Sequence, residues 1–263
     1  MILGIDVSHW NTVTDWHQLK AAGIEFAFIK ATQGDYYKDP MFTTNAQGAR
    51  DAGILVAPYH YFDPGITPQR QVNHFLDTIG TTPHSMLAID VETNITHDEL
   101  TIPAKQLSDC ANDTAALCAA ELKRFFRQTP LLIYTRNSFV TDYAPLMTTW
   151  LRSYPLWLAT WPYKKGVVSC TWDEFKSFWL PKTTAPTIPK NCNFWDYWQF
   201  SGDKFILPGV DGPLDLNYFN GNLFDLYKFL GINPPAMPPA TPLSIDQRLA
   251  NLEAAARLAG WTI

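Results

Sequence analysis

Carboxylic side chains follow several apolar runs of this sequence and are its strongest chemical feature. Asp6 stands near the end of the first run, Asp90 and Glu92 close a later run, and Asp215 lies in the segment 210–217. A carboxylate among hydrophobic residues is costly unless it has a partner or a task. We therefore predict that these four acids are catalytic residues. For any one of them alone, a loop cap or an arginine partner is the competing interpretation.

Asp90 and Glu92 form the sharpest pair, because residues i and i+2 of a strand point to the same face with Cα atoms about 6.7 Å apart. Repulsion between two carboxyls in one pocket should raise the pKa of one of them, which leaves a proton donor beside a carboxylate. Hydrolysis of a glycosidic bond needs that division of roles. Metal binding is the competing interpretation of a carboxylate cluster. Without histidines at strand ends or a C-x-x-C pattern, we expect neither a metal nor another cofactor.

Aromatic residues near the same strand ends could hold a weakly charged ligand such as a sugar, although aromatic rings more often pack in a core. In Tyr59-His60-Tyr61 the two tyrosines alternate to one face of a predicted strand. His60 then points to the other face, and we predict that it is structural. The candidate substrate-binding residues are Tyr59, Tyr61, Tyr134, Trp198 and Gln199.

The composition excludes several classes of protein. The chain has 263 residues, of which 46% are hydrophobic, so it can bury a sizeable core. A net charge of −5 offers no basic field for a phosphate backbone, and we expect no nucleic-acid partner. No apolar stretch approaches the roughly 20 residues that cross a bilayer, so we expect no membrane insertion.

The elements that must position these residues alternate between strand and helix. Helical segments are predicted at 15–22, 41–52, 68–79 and 110–128. Between them stand short apolar runs typical of strands buried on both faces, namely 2–7, 26–30, 54–61, 86–91, 131–135, 156–159 and 194–200. This order predicts an α/β fold with a parallel sheet closed into an irregular (β/α) TIM-like barrel, in which catalytic groups stand at the C-terminal ends of strands.

Two segments depart from the alternation. Residues 161–193 form a long proline-containing excursion, in which Cys170 and Cys192 are the only cysteine pairing that we consider. Residues 231–242 hold five prolines and predict a linker, and 243–263 predict an amphipathic helix. Such a helix must dock on the domain or form a homo-oligomer with another copy. The expected division is therefore a barrel at 1–230, a linker at 231–242 and a helix at 243–263.

Taken together, the motifs resemble those of the family 25 glycoside hydrolases, the Chalaropsis-type lysozymes that also occur in phage endolysins. No single motif carries the resemblance, and the matching segments follow the family's order over about residues 1 to 230. They are 4–10 (GIDVSHW), 26–34 (FAFIKATQG), 58–62 (PYHYF), 87–92 (LAIDVE), 133–135 (IYT), 156–159 (LWLA), 198–200 (WQF) and 210–217 (VDGPLDLN).

The resemblance implies an N-acetylmuramidase that cleaves the β-1,4 bond between N-acetylmuramic acid and N-acetylglucosamine in peptidoglycan glycan strands, with retention. Glu92 would be the general acid, and Asp90 would either support the substrate's acetamido group or act as the nucleophile. Asp6 and Asp215 would hold the sugar and tune that pair. Sugar contacts would come from Tyr59, Tyr134 and Gln199.

One departure from the family pattern keeps other functions open. Gln33 stands where family members commonly have glutamate, so a charge is missing from the rim or from a supporting position. A catalytically weak peptidoglycan-binding module is therefore one alternative. A chitinase-like or glucosaminidase-type enzyme, which can also use a D-x-E pair with acetamido participation, is another. The N-terminus lacks the pattern of a secretory signal peptide. We therefore expect synthesis in the cytoplasm and action on the wall after release, as for phage endolysins, or export by another route.

Overall fold

The computed structural model describes residues 1–125, 129–162, 172–179 and 185–233. Residues Met1 to Ile232 belong to one compact unit. The expected linker and terminal helix lie outside the described residues, except for the first residues of the linker, so both stay predictions. None of the helices in the described ranges is long and apolar enough to span a bilayer.

The strands in these ranges have the following bounds: β1 (Ile2–Val7), β2 (Thr12–Val13), β3 (Ile24–Gln33), β4 (Tyr37–Lys38), β5 (Leu55–Tyr61), β6 (Leu87–Asp90), β7 (Leu131–Arg136), β8 (Leu156–Ala159), β9 (Tyr197–Phe205), β10 (Val210–Asp211) and β11 (Leu214–Phe219). The helices are α1 (Trp16–Ala21), α2 (Phe42–Asp51), α3 (Pro68–Ile79), α4 (Ala104–Phe125), α5 (Asn137–Asp142), α6 (Trp172–Glu174) and α7 (Leu223–Phe229). Short 3₁₀ turns at Pro145–Thr149 and Leu151–Ser153 lead into β8.

Eight of the described strands close into a barrel with flanking helices, which confirms the predicted fold class. The order around the barrel is β1, β11, β9, β8, β7, β6, β5 and β3, and pairing of β1 with β3 closes the ring. Strands β1, β3, β5, β6, β7, β8 and β9 are mutually parallel where they pair. The short strands β2 and β10 form a separate ribbon.

The expectation of a wholly parallel sheet is wrong at β11. This strand runs antiparallel to both β1 and β9, and it lies outside the apolar runs that predicted strands. The physical reason is the connection: residues 206–213 are too few for the crossover that a parallel pair requires, which takes a dozen residues or more. As a consequence, Asp215 lies at the start of its strand and still reaches the rim where the parallel strands end.

Two apolar layers hold the barrel. The outer layer lies between strands and helices and includes Leu19 of α1, Phe75 of α3 and Leu122 of α4. The inner layer fills the barrel, where Phe28 stacks on Trp157 with ring centroids 3.7 Å apart. Aromatic rings of this size fill the interior, so the barrel is a packed core rather than an open channel.

Gly4 on β1 shows how tightly that interior is packed. A Cβ atom at this position would lie 2.2 Å from the ring of Phe26, well inside contact distance. Phe26 in turn packs edge-on against Tyr197 of the opposite wall at 5.1 Å. The glycine therefore provides the space that lets the ring of Phe26 cross the barrel beside β1.

The excursion at 161–193 is partly helical in its described residues. After α6, a π-helical turn spans Phe175–Trp179, and Phe175 is buried against Phe205 of β9 at 4.4 Å. This segment therefore contributes to the outer core as well as to the rim. Cys192 carries a free thiol, and its considered partner, Cys170, lies outside the described residues.

Candidate active site

A cavity of about 860 Å³ opens at the C-terminal ends of the parallel strands, where the sequence predicts the reactive groups. All four predicted acids lie in its wall, together with three tyrosines and Gln199 of the predicted binding set. The residues that line it are Asp6, Ser8, Trp10, Lys30, Tyr59, Tyr61, Asp90, Glu92, Tyr134, Trp157, Trp161, Gln199, Gly202, Asp203, Lys204 and Asp215.

Asp6 and Asp215 form one half of the acid cluster. They are direct partners in the antiparallel register of β1 and β11. Gln199 Nε2 donates to Asp6 Oδ2 at 3.0 Å and to Asp215 Oδ2 at 3.1 Å. Asn217 Nδ2 donates to Asp6 Oδ2 at 2.7 Å, and the backbone N–H of Asp203 donates to Asp215 Oδ1 at 2.7 Å. The two carboxyls are therefore fixed by a shared amide donor.

Burial dominates the electrostatics of this half. It raises the pKa of Asp6 to about 6, against the opposing effect of hydrogen bonds from Gln199 and Asn217. Burial and the nearby charge of Asp6 raise the pKa of Asp215 well above its ordinary value. Protons are therefore held in this half of the cluster at a pH where exposed aspartates are ionised.

Asp90 and Glu92 form the other half, and both face the cavity as their spacing predicts. Asp90 is the last residue of β6, so Glu92 lies just beyond the strand rather than within it. Asp90 is 6% exposed, and its Oδ1 has no hydrogen-bond partner among the described residues. An unpaired buried oxygen is costly, and a donor from a bound ligand would satisfy it.

The pKa values of this second pair are raised in the way the sequence predicts. Burial, followed by the charge of Glu92, raises the pKa of Asp90 well above its ordinary value. Burial also raises the pKa of Glu92, while the positive charges of Arg136 and Lys30 oppose the rise. The two neighbouring carboxyls can therefore share a proton at a pH where exposed carboxyls are ionised.

The tyrosines line the cavity on the side of β5 and β7. Tyr59 and Tyr61 share a face of β5, and Tyr134 Oη donates to Gln199 Oε1 at 2.9 Å. His60 points the other way and is buried, with Nδ1 2.8 Å from Thr32 Oγ1 and Nε2 3.0 Å from the side-chain oxygen of Gln71. The prediction that His60 is structural is confirmed.

Trp198 is the one predicted binding residue that the structure does not bring to the cavity. It is fully buried in the outer apolar layer, and its Nε1 donates to the carbonyl oxygen of Thr160 at 2.8 Å. Successive side chains on a strand point to opposite faces, so Gln199 enters the cavity and Trp198 faces away from it. Its assignment to sugar binding is wrong for that reason.

Several residues that line the cavity were not predicted from the sequence. Lys30 lies with Nζ 4.7 Å from the ring centroid of Tyr61 and 3.2 Å from Gln33 Oε1. Trp10 is 82% exposed at the cavity mouth, and Trp161 is 46% exposed. Lys30 ends a strand-like run just as the acids do, so the same criterion could have identified it.

Gln33 does not line the cavity but contacts Lys30, which does. Its Oε1 accepts the hydrogen bond from Lys30, and its Nε2 donates to Tyr36 Oη at 3.2 Å. The amide thus orients Lys30 without neutralising its charge. Across the described part of the chain, no group of three or more His, Cys, Asp or Glu side chains is arranged to hold a metal ion.

Comparison with known proteins agrees with this geometry. The model for glycosyl hydrolases family 25 matches residues 5–210. Lysozyme M1 of Streptomyces globisporus is 30% identical over 227 residues, which are 84% of this chain and 68% of that protein. The crystal structure of a lysozyme from Streptomyces coelicolor is 30% identical, has a TM-score of 0.69, and covers 87% of this chain and 96% of that one. A muramidase from Acremonium alcalophilum shares the fold at 23% identity, with a TM-score of 0.66 over 88% of this chain and 99% of its own.

The family match spans most of the chain and includes Asp6, Asp90 and Glu92. Lysozyme M1 and the Streptomyces coelicolor lysozyme, each 30% identical to this chain, match it over most of their length. This chain therefore belongs to family 25 of the glycosyl hydrolases and is a glycoside hydrolase.

Proposed function

We propose that the protein is a retaining N-acetylmuramidase that cleaves the β-1,4 bond between N-acetylmuramic acid and N-acetylglucosamine in bacterial peptidoglycan. The observation that carries the proposal is the pair formed by Asp90, which is buried, and Glu92, which is partly buried, two carboxyls with raised pKa values in the wall of one cavity. The names of its relatives supply the substrate class, since they include lysozymes and muramidases.

Glu92 is the proposed general acid. Its pKa is raised by burial, so it can carry a proton to the leaving oxygen under conditions where an exposed glutamate is ionised. After departure of the first sugar, the same group, now a carboxylate, takes the proton of the attacking water. One residue serving in both directions is what a retaining mechanism requires.

Asp90 is proposed to support the acetamido group of the substrate as that group attacks the anomeric carbon. The unpaired Oδ1 of Asp90 is a ready acceptor for the acetamido N–H. A hydrogen bond to the charged form of Asp90 lowers its pKa, which leaves the shared proton of the pair on Glu92. Substrate binding itself thus puts the proton where the reaction needs it.

Asp6 and Asp215 are proposed to hold the sugar from the opposite wall, with Gln199 fixing their orientation. The tyrosines beside them supply rings and hydroxyl groups, while Trp10 offers an exposed ring at the mouth. Lys30 and Arg136 favour the ionised form of Glu92, because their positive charges oppose the rise in its pKa.

Digestion of purified peptidoglycan tests the proposal. The new reducing ends are reduced with borohydride and identified by mass spectrometry, with Glu92→Gln as the test variant and exposed Glu99→Gln as the matched control. Wild type and Glu99→Gln should produce muramitol ends at the same rate, and Glu92→Gln should produce them about 100- to 10,000-fold more slowly. Glucosaminitol ends would show that the bond on the reducing side of N-acetylglucosamine is cleaved instead. Glycan binding without new ends would identify a wall-binding module. The cellular route to the wall and the oligomeric state stay predictions.

A further inference from the structure

A second pocket of about 280 Å³ lies beside the catalytic cavity, at the C-terminal ends of β7 and β8. Its wall is formed by Arg136, Asn137, Ser138, Thr160, Trp161 and Thr187, with Ala159 at its base. Trp161 also lines the catalytic cavity, and its Nε1 donates to Gln199 Oε1 at 3.2 Å. Trp161 is the lining residue that the two spaces share, so the second pocket adjoins the catalytic cavity at this ring.

Arg136 is the charged residue of this pocket. Its side chain is half-buried and makes no hydrogen bond or ion pair with a side chain or carbonyl of any described residue. Its positive charge opposes the rise in the pKa values of Glu92 and Asp90, although it forms no direct salt bridge with either. A guanidinium with free donors at the edge of a cavity is a binding group for a carboxylate, which it can hold with two parallel hydrogen bonds.

The remaining wall suits the same ligand. Asn137 and Ser138 offer side-chain donors, whereas Thr160 already uses its Oγ1 to accept a hydrogen bond from the backbone N–H of Thr187 at 3.1 Å. Apart from Arg136, none of the described residues in the wall is charged. The pocket is therefore a positive, hydrogen-bonding site next to a cavity whose own wall carries several acids.

The proposed substrate has a matching feature. N-acetylmuramic acid carries a lactyl branch, which ends in a carboxylate or continues through an amide into a peptide stem that bears carboxylates. Arg136 offers the negative charge of such a branch a partner away from the acids of the catalytic cavity. The second pocket, at about 280 Å³, has room for such a branch.

We propose that this pocket binds a carboxylate on the muramic acid branch of the substrate, with Arg136 as the principal ligand-binding group. The inference rests on the proposed muramidase function and adds a source of selectivity for muramic acid over an unbranched chitin-like glycan. One charge-assisted hydrogen bond accounts for about a 10- to 100-fold change in affinity.

The test compares three glycans made from one peptidoglycan preparation. The first keeps its peptide stems, the second is freed of stems by an amidase and exposes the lactyl carboxylate, and the third is the second after chemical amidation of that carboxylate. KM and kcat are measured for wild type, Arg136→Met, Arg136→Lys and Ser138→Asp. Exposed Lys123→Met on α4 is the control for loss of one positive charge.

Arg136→Met should raise KM about 10- to 100-fold on a carboxylate-bearing glycan and leave KM on the amidated glycan unchanged. Whichever of the first two glycans shows the effect identifies the stem or the lactyl group as the source of the carboxylate. Ser138→Asp should raise KM on the same glycan by placing a negative charge in the pocket, and Arg136→Lys should recover part of the loss. Any effect of Arg136 on Glu92 should change kcat equally on all three glycans.

Equal changes in KM on all three glycans would overturn the inference while leaving the muramidase function intact. Failure of the muramidase function is distinguished by a second measurement, the equilibrium binding of the same glycans to Glu92→Gln with and without Arg136→Met. If no glycan is cleaved by wild type, the proposed function fails. The pocket assignment then still stands or falls on whether Arg136→Met weakens binding of the charged glycans alone.

Discussion

Replacing Asp6 by asparagine should make the protein more stable at neutral pH while impairing its site. The pKa of Asp6 is raised from an ordinary value of 3.8 to about 6 in the fold, with burial as the largest cause. The folded state therefore binds this proton more tightly than the unfolded state, and the contribution of Asp6 to stability falls as pH rises from about 4 to about 6. At about 1.4 kcal/mol for each pKa unit, the cost at pH 7 is about 3 kcal/mol.

Asparagine removes that cost and keeps the shape of the side chain. Its single oxygen can occupy the position of Asp6 Oδ2, which accepts hydrogen bonds from both Gln199 and Asn217. The free energy of unfolding should therefore rise by up to about 3 kcal/mol at pH 7, and by less than about 1 kcal/mol at pH 4, where the unfolded aspartate is itself partly protonated.

Urea denaturation of wild type and Asp6→Asn at both pH values measures this difference, with exposed Asp98→Asn as the control for loss of one negative charge. A gain that grows with pH for Asp6→Asn and is absent for Asp98→Asn would support the reasoning. A variant that is less stable at pH 7, or whose gain does not depend on pH, would refute it.

Three further predictions address the core and the cavity. Phe28→Ala removes the ring that stacks inside the barrel and should lower the free energy of unfolding by about 3–5 kcal/mol in urea denaturation. Gln71→Leu removes the partner of His60 Nε2 and of backbone groups of Asp63 and Ile66, and should lower stability by at least about 1–3 kcal/mol in the same assay. Lys30→Met removes a charge that lowers the pKa of Glu92, so the basic limb of the pH profile of kcat/KM should move to higher pH.

Each of these has a contrary outcome. A loss below about 1 kcal/mol for Phe28→Ala would mean that the interior collapses around the missing ring. Unchanged stability of Gln71→Leu would show that His60 finds another partner. A basic limb that moves to lower pH in Lys30→Met would contradict the electrostatic role assigned to Lys30.

The acids at the strand ends were predictable because strands buried on both faces are nearly continuous apolar runs. A carboxylate that ends such a run interrupts the pattern, and parallel strands bring those interruptions to one rim. Lys30 interrupts the pattern in the same way, yet a single lysine has no spacing partner to suggest a task. The alternation rule also placed His60 correctly, since its neighbours Tyr59 and Tyr61 share the opposite face.

The remaining features depend on how distant segments meet. The antiparallel direction of β11 follows from a short connection, and no apolar run marked this strand in advance. Trp198 was assigned to the cavity by residue type, whereas the register of β9 turns it outward. The pocket beside Arg136 is formed by the ends of two strands and by residues of the excursion, and no local sequence pattern predicts that these segments lie together.

The most direct test of the account is whether Glu92 gives its proton to the leaving oxygen. Hydrolysis by Glu92→Gln is measured on peptidoglycan and on a muramic acid glycoside whose nitrophenol leaving group departs without protonation. The account predicts a loss of about 100- to 10,000-fold on peptidoglycan and a much smaller loss on the activated glycoside. Equal losses on both substrates would contradict the assignment of Glu92 as the general acid.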